Sequence, residues 1–102
     1  MIRVIATIEL VDGRRDAFLK IFHALVPKVR AEKGCLDYGP MVDVPTNISA
    51  QPAVRPNVVT IVEAWESTEA LETHLLTPHM LDYRKAVADL VARVALQILA
   101  PA

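Results

Sequence analysis

An α+β protein, with a four-stranded antiparallel sheet covered by helices on one face, is what this chain of 102 residues predicts. Three observations carry that expectation. Apolar periodicity switches between two and about 3.6 residues in the order strand, helix, strand, strand, helical segment, strand. Hydrophobic residues form 53% of the chain, enough for one modest core, and the length is too short for two. No internal repeat or low-complexity tract competes, so residues 1–102 are expected to form a single domain.

Residues 2–10, IRVIATIEL, place Val4, Ala6, Ile8 and Leu10 on one face and Arg3, Ile5, Thr7 and Glu9 on the other, a strand pattern rich in β-branched side chains. Asp12-Gly13 supplies a turn. From Arg14 the period lengthens, and Phe18, Ile21/Phe22, Leu25/Val26 and Val29 form a helical stripe. Pro27 lies inside that stripe without an amide hydrogen for the preceding turn, which predicts a kink or a second short helix beginning there. Gly34 closes the helical segment.

CLDYGPMVDV, residues 35–44, reads as an extended strand bent or interrupted at Gly39-Pro40, because proline donates nothing to a ladder. Three prolines and two asparagines in residues 45–57 mark a long surface connection, with Ile48 and Val54 as candidate tethers. NVVTIVEAW, residues 57–65, resumes the strand pattern, with Val59, Ile61, Glu63 and Trp65 on one face. Ser67 or Thr68 caps the next helix, with Glu66 and Glu69 near its positive end. Thr77-Pro78 starts a fresh turn, since Thr77 can accept amide hydrogens and Pro78 stands where a missing donor costs little. Leu81, Arg84/Lys85, Val87/Ala88 and Leu90/Val91 continue as a helix with a mixed face. VARVALQIL, residues 91–99, then returns to strand.

Several strands are apolar in both directions, as Val4 with Ile5 and Val58 with Val59 illustrate, while the helices suffice for one side of the sheet. A bare apolar face predicts a symmetric homodimer whose facing sheets enclose a pocket.

Composition removes several function classes. Eleven lysines and arginines against twelve aspartates and glutamates leave a formal charge of -1, with basic residues scattered except at Arg14-Arg15 and Arg84-Lys85. Such a chain has no electrostatic footprint for nucleic acid. The first residues lack a basic segment beside a long apolar run, and no stretch approaches the roughly 18 to 20 apolar residues of a membrane span, so a cytoplasmic protein is expected. Cys35 is the only cysteine, which suits a reducing compartment and reads as a structural thiol. His23, His74 and His79 are the only imidazoles, without an HExxH pattern or a cysteine pair, and three scattered glycines build no phosphate loop. Neither a metal nor a nucleotide cofactor is expected.

Five residues are candidates to carry chemistry. Trp65 can pack against a flat ligand or anchor a strand end. Glu63 shares its strand face and, if enclosed, needs a donor such as an arginine or histidine. Tyr38 can hydrogen-bond an oxygenated ligand or close the core. His74 and His79 can each move a proton near neutral pH or simply bond to backbone.

GCLDY at 34–38, IVEAWES at 61–67 and EALETHLLTPHMLDY at 69–83 together resemble the antibiotic biosynthesis monooxygenase family, over nearly the whole chain. The resemblance implies a ferredoxin-like protomer in a dimeric α/β barrel, oxidising a quinol or related electron-rich aromatic with molecular oxygen and without flavin, haem or metal. Trp65 matches the family's strand-end tryptophan, His74 its helical histidine, and Thr77, Pro78 and His79 its second turn. Ile61 and Leu71 depart from it, standing where the family's aromatic-polyketide oxidases carry a substrate-contacting asparagine and tyrosine; a less polar cavity, suited to a hydrophobic quinol, follows. The expected site has His74 or His79 as the catalytic base, Trp65 against the aromatic plane, Tyr38 orienting an oxygen and Glu63 among the substrate contacts. A non-catalytic dimer sheltering a small apolar ligand, or an isomerase or degradative enzyme for a small oxygenated metabolite, are the other readings of the same residues.

Overall fold

Alternation in four segments and helical spacing in three generate the scaffold. The computed structural model describes residues 1–102 in the order β1 (Ile2–Leu10), α1 (Arg15–Arg30), β2 (Cys35–Met41), β3 (Val58–Trp65), α2 (Thr68–Leu75), α3 (Pro78–Ala86) and β4 (Val91–Leu99). The strands pair antiparallel in the order β2-β3-β1-β4. Val4, Ala6, Ile8 and Leu10 of β1 are buried beneath the helices, with Phe18, Phe22, Leu25, Val26 and Val29 of α1 packed into the same cluster. Full burial of each large apolar side chain contributes about 1.5–3 kcal/mol. No helix is long and apolar enough to cross a membrane.

The ferredoxin-like sheet with helices on one face is present, but the expected barrel is not. The sheet stays open, because β2 and β4 stand at opposite edges with β3 and β1 between them. Closure requires tilted, staggered strands in larger number, about eight in the smallest common barrels, and four strands cannot curl that far. The uncovered face is mixed: Ile5, Val58, Val62, Ala64, Ala95 and Leu99 lie there among Arg3, Thr7, Glu9, Thr60, Arg93 and Gln97.

The register explains an unexpected apolar surface at β4. Ile98, Leu96 and Val94 lie opposite Val4, Ala6 and Ile8, so they share the helix-covered face. Yet they are 50%, 44% and 53% exposed, because the helices stop short of this edge strand. Sequence alternation identifies the face of a residue but not its distance from the covering layer.

Three local expectations are corrected. Pro27 lies inside one continuous α1, on its exposed side, rather than opening a second helix. It costs the helix one hydrogen bond near its C-terminal end, where burial of Val26 and Val29 holds the turn together. Strand β2 ends at Met41, and its irregularity falls between Cys35 and Asp37 rather than at Gly39-Pro40. Pro40 is tolerated because β2 is an edge strand. Helix α3 ends at Ala86 instead of running to Leu90, and Leu81 is exposed while Met80, Val87 and Leu90 face inward.

The long connection is also held differently. Ile48 and Val54 are exposed and tether nothing. Arg55 instead donates from Nε and Nη2 to Asp43 at 2.8 and 2.9 Å, while Asn57 donates to Asp12 and accepts from the Gly13 amide. Gly34 has a decisive place at the other end of the sheet. Its φ of +87° suits glycine, and a Cβ there would lie 2.7 Å from that of Ala70. The turn after α1 therefore comes down onto α2, which brings Glu32 into the site.

Candidate functional site

A cavity of about 580 Å³ opens between the helices and the sheet, lined by 16 residues of which 13 are hydrophobic. Its volume suits a small-molecule site. The cavity lies within a single protomer, on the opposite side of the sheet from the face expected to pair with a second copy. The helices leave β4 uncovered, and Val94 and Leu96 form part of the cavity wall together with Val4, Ala6 and Ile8 of β1.

Caps predicted from sequence position the polar wall. Ser67 Oγ accepts from the Ala70 amide at 3.2 Å and starts α2. Thr77 accepts from the Met80 amide and donates from its hydroxyl to the His74 carbonyl at 2.9 Å, ending one helix while starting the next with Pro78. His74 therefore sits in the last turn of α2 and His79 in the first turn of α3.

Tyr38, Glu63 and His74 line the cavity; Trp65 and His79 do not. Trp65 is completely buried behind the wall, its ring centroid 4.6 Å from that of His74. Its indole Nε1 donates to Glu63 Oε1 at 2.9 Å. The donor required by Glu63 is thus the tryptophan two residues along the same strand face, not an arginine or histidine. Burial, opposed by that hydrogen bond and reinforced by the charge of Glu32, raises the Glu63 carboxyl from 4.5 to about 7.

His74 is 1% exposed, with Nδ1 at 2.9 Å from Glu32 Oε2. His79 Nε2 lies 2.7 Å from the same oxygen. Burial lowers the His74 pKa; the hydrogen bond and charge of Glu32 oppose that shift, and the charges of His79 and Arg84 add to it. Tyr38 packs edge-on to His74 at 5.5 Å and stacks on Phe22 at 5.6 Å. Burial raises the pKa of Tyr38 and of Tyr83, so both hydroxyls remain protonated donors near neutrality.

The site thus has an apolar interior and a few converging polar ends. No enclosed side-chain nitrogen or oxygen lacks a partner, and Nδ1 and Oε1 are the bonded atoms of His74 and Glu63, leaving Nε2 and Oε2 facing open space. The arrangement can accept a proton at His74, exchange one at Glu63 and donate hydrogen bonds from Tyr38 and Tyr83. No group of three histidine, cysteine, aspartate or glutamate side chains converges in a way that could hold a metal ion.

Residues beyond the sequence-derived set complete the wall. Tyr83, Met80 and Val87 share an i, i+3, i+7 spacing that could have identified an inward stripe on α3. Arg84, which donates to the Leu75 carbonyl at 2.7 Å, also lines the cavity. Glu32 offered no such signal: it is 42 residues from His74 and gains its place only through the turn at Gly34.

Comparison with known proteins agrees with this architecture. A family model described as antibiotic biosynthesis monooxygenase matches residues 1–86. The chain is 42% identical to the protein described as "Probable quinol monooxygenase YgiN" of Escherichia coli, over 99% of this chain and 98% of that one. The crystal structure of PA3566 from Pseudomonas aeruginosa aligns with a TM-score of 0.81 at 29% identity, covering 99% of this chain and 93% of the other. The structure of Rv0793 from Mycobacterium tuberculosis aligns at 0.80 and 29%, with 99% and 94% covered.

Proposed function

Because the chain belongs to the antibiotic biosynthesis monooxygenase family, we propose that its cavity binds a quinol or related electron-rich aromatic and oxidises it with molecular oxygen, the substrate itself supplying the electrons. The observation that carries the reading is a buried imidazole, His74, with one ring nitrogen facing an otherwise apolar cavity. His74 Nε2 takes the proton of a substrate hydroxyl, which makes the ring a stronger electron donor to oxygen. The apolar walls exclude water and strengthen the local electrostatics. Tyr38 orients a substrate oxygen, and Glu63 exchanges a second proton near neutral pH. Trp65 supports this set from behind, holding Glu63 and packing on His74, rather than stacking on the substrate.

In a hydroxylating turnover, quinol and oxygen give a hydroxyquinone and water; in a simple dehydrogenation they give a quinone and hydrogen peroxide. Purified, metal-depleted protein incubated with a quinol under heavy-isotope oxygen distinguishes these by product mass and peroxide assay. A no-protein control removes spontaneous oxidation. One labelled atom in the organic product is expected. Anaerobic conversion of a small oxygenated metabolite would instead favour an isomerase, and binding without any product would favour a passive carrier.

We also infer a homodimer in which a second copy covers the edge near β4. Exposed Val94, Leu96 and Ile98 adjoin the cavity opening, and their coverage would dry its open side.

A further inference from the structure

His74 and His79 converge on a single carboxylate oxygen, which a continuous helix would not allow. Positions five apart on one α-helix point about 140° away from each other. The break at Thr77-Pro78 reorients the second ring, so both reach Glu32 Oε2 although only His74 lines the cavity. Accepting the reading of His74 as the base, we propose that Glu32 is its positioning residue and that His79 anchors Glu32 instead of acting on substrate.

The chemistry follows from which atoms can donate. A carboxylate oxygen only accepts, so His74 carries its proton on Nδ1 and leaves Nε2 bare toward the cavity. The opposite tautomer would set a nitrogen lone pair against Glu32 and offer the substrate a proton instead of taking one. When the substrate O–H bond breaks and the Nε2–H bond forms, the resulting imidazolium faces a carboxylate already in place at 2.9 Å. His79 donates from the outer side, its side chain 23% exposed against 12% for Glu32. The carboxylate is thereby held between the buried ring and a ring that meets solvent.

Titratable groups face His74 from every layer packed around it. Glu32 faces it from the turn after α1, Tyr38 and Glu63 share its cavity from β2 and β3, and His79 and Arg84 act from α3. Glu32 raises the His74 pKa, while His79 and Arg84 lower it. Removing Glu32 or His79 therefore has opposite consequences, which simple loss of packing would not produce.

Nitrogen NMR of the full-length protein, titrated through the histidine range, tests the arrangement without relying on turnover. The wild type is expected to carry the His74 proton on Nδ1. Glu32→Gln should lower the His74 titration midpoint; His79→Ala and His79→Gln, which both remove the charge of His79, should raise it, and only His79→Gln, which keeps an amide donor to Glu32, should hold the His74 proton on Nδ1 as the wild type does. With a quinol substrate, Glu32→Gln should lose roughly 10- to 100-fold in kcat at nearly constant KM, with the acidic limb of its pH profile moved down.

A wild-type His74 protonated on Nε2, or midpoints unmoved in both variants, would overturn the assignment. If Glu32→Gln does not fold, the His79→Ala and His79→Gln pair decides it. Absence of quinol oxidation in the wild type, with the expected tautomer intact, would sink the oxidation reading alone.

Discussion

The two walls of the cavity are built on opposite terms. On one, Trp65 holds Glu63 and packs on His74, His74 meets Glu32, and Tyr38 closes against His74 and Phe22. On the other, Val94 and Leu96 of an edge strand stand half exposed, with no helix above them. The first wall fixes each functional side chain by at least one further residue; the second offers only surface. Under the proposed function, proton chemistry falls to the interlocked wall, and ligand entry and partner contact to the slack one.

The sharpest way to break the contrast is Trp65→Phe. It removes the only hydrogen-bond donor to Glu63 and leaves space behind His74, so a loss of about 2–4 kcal/mol is expected in chemical denaturation. A loss of less than half a kcal/mol would mean that the wall is not interlocked.

Glu63 gives the next largest effect and a defined pH dependence. Its carboxyl is held at about 7 against an ordinary 4.5, so the native state keeps the proton more tightly than the unfolded chain. The associated stability is present below 4.5 and lost as pH rises through 7. The loss can reach roughly 3 kcal/mol. Glu63→Gln, whose carbonyl still accepts from Trp65, should flatten that slope and be the more stable protein above neutrality. Parallel wild-type and variant curves between acidic and neutral pH would count against a buried carboxylic acid.

Much of the interlocked wall was legible because it follows local rules. Glu63 and Trp65 are two residues apart on a strand and must share a face; Ser67 and Thr77-Pro78 are helix starts by their side-chain chemistry. Glu32 was not legible, since its partner is distant in sequence and only the left-handed turn at Gly34 joins them. The alternation of β4 was visible, but its exposure was not, because strand order and helix placement decide which residues lie beyond the covering layer. Pro27 misled for a related reason: tertiary burial of its neighbours outweighs one missing hydrogen bond.

The slack wall predicts the smallest change in protomer stability. Ile98→Lys lies outside the cavity lining and should alter unfolding by no more than about 0.5 kcal/mol. If a second copy covers β4, the same change should shift a dimer toward monomer in sedimentation velocity. An unchanged dimer would move the interface elsewhere, and the uncovered sheet face around Ile5 and Val62 would be the next place to mutate.

Quinol-dependent oxygen uptake by metal-depleted wild type, His74→Ala and Val94→Ala, measured side by side, tests the division between the walls most directly. His74→Ala should lose on the order of 100-fold or more in kcat, whereas Val94→Ala should retain kcat and change chiefly in KM. Equal rates for wild type and His74→Ala, above the no-protein control, would contradict the account.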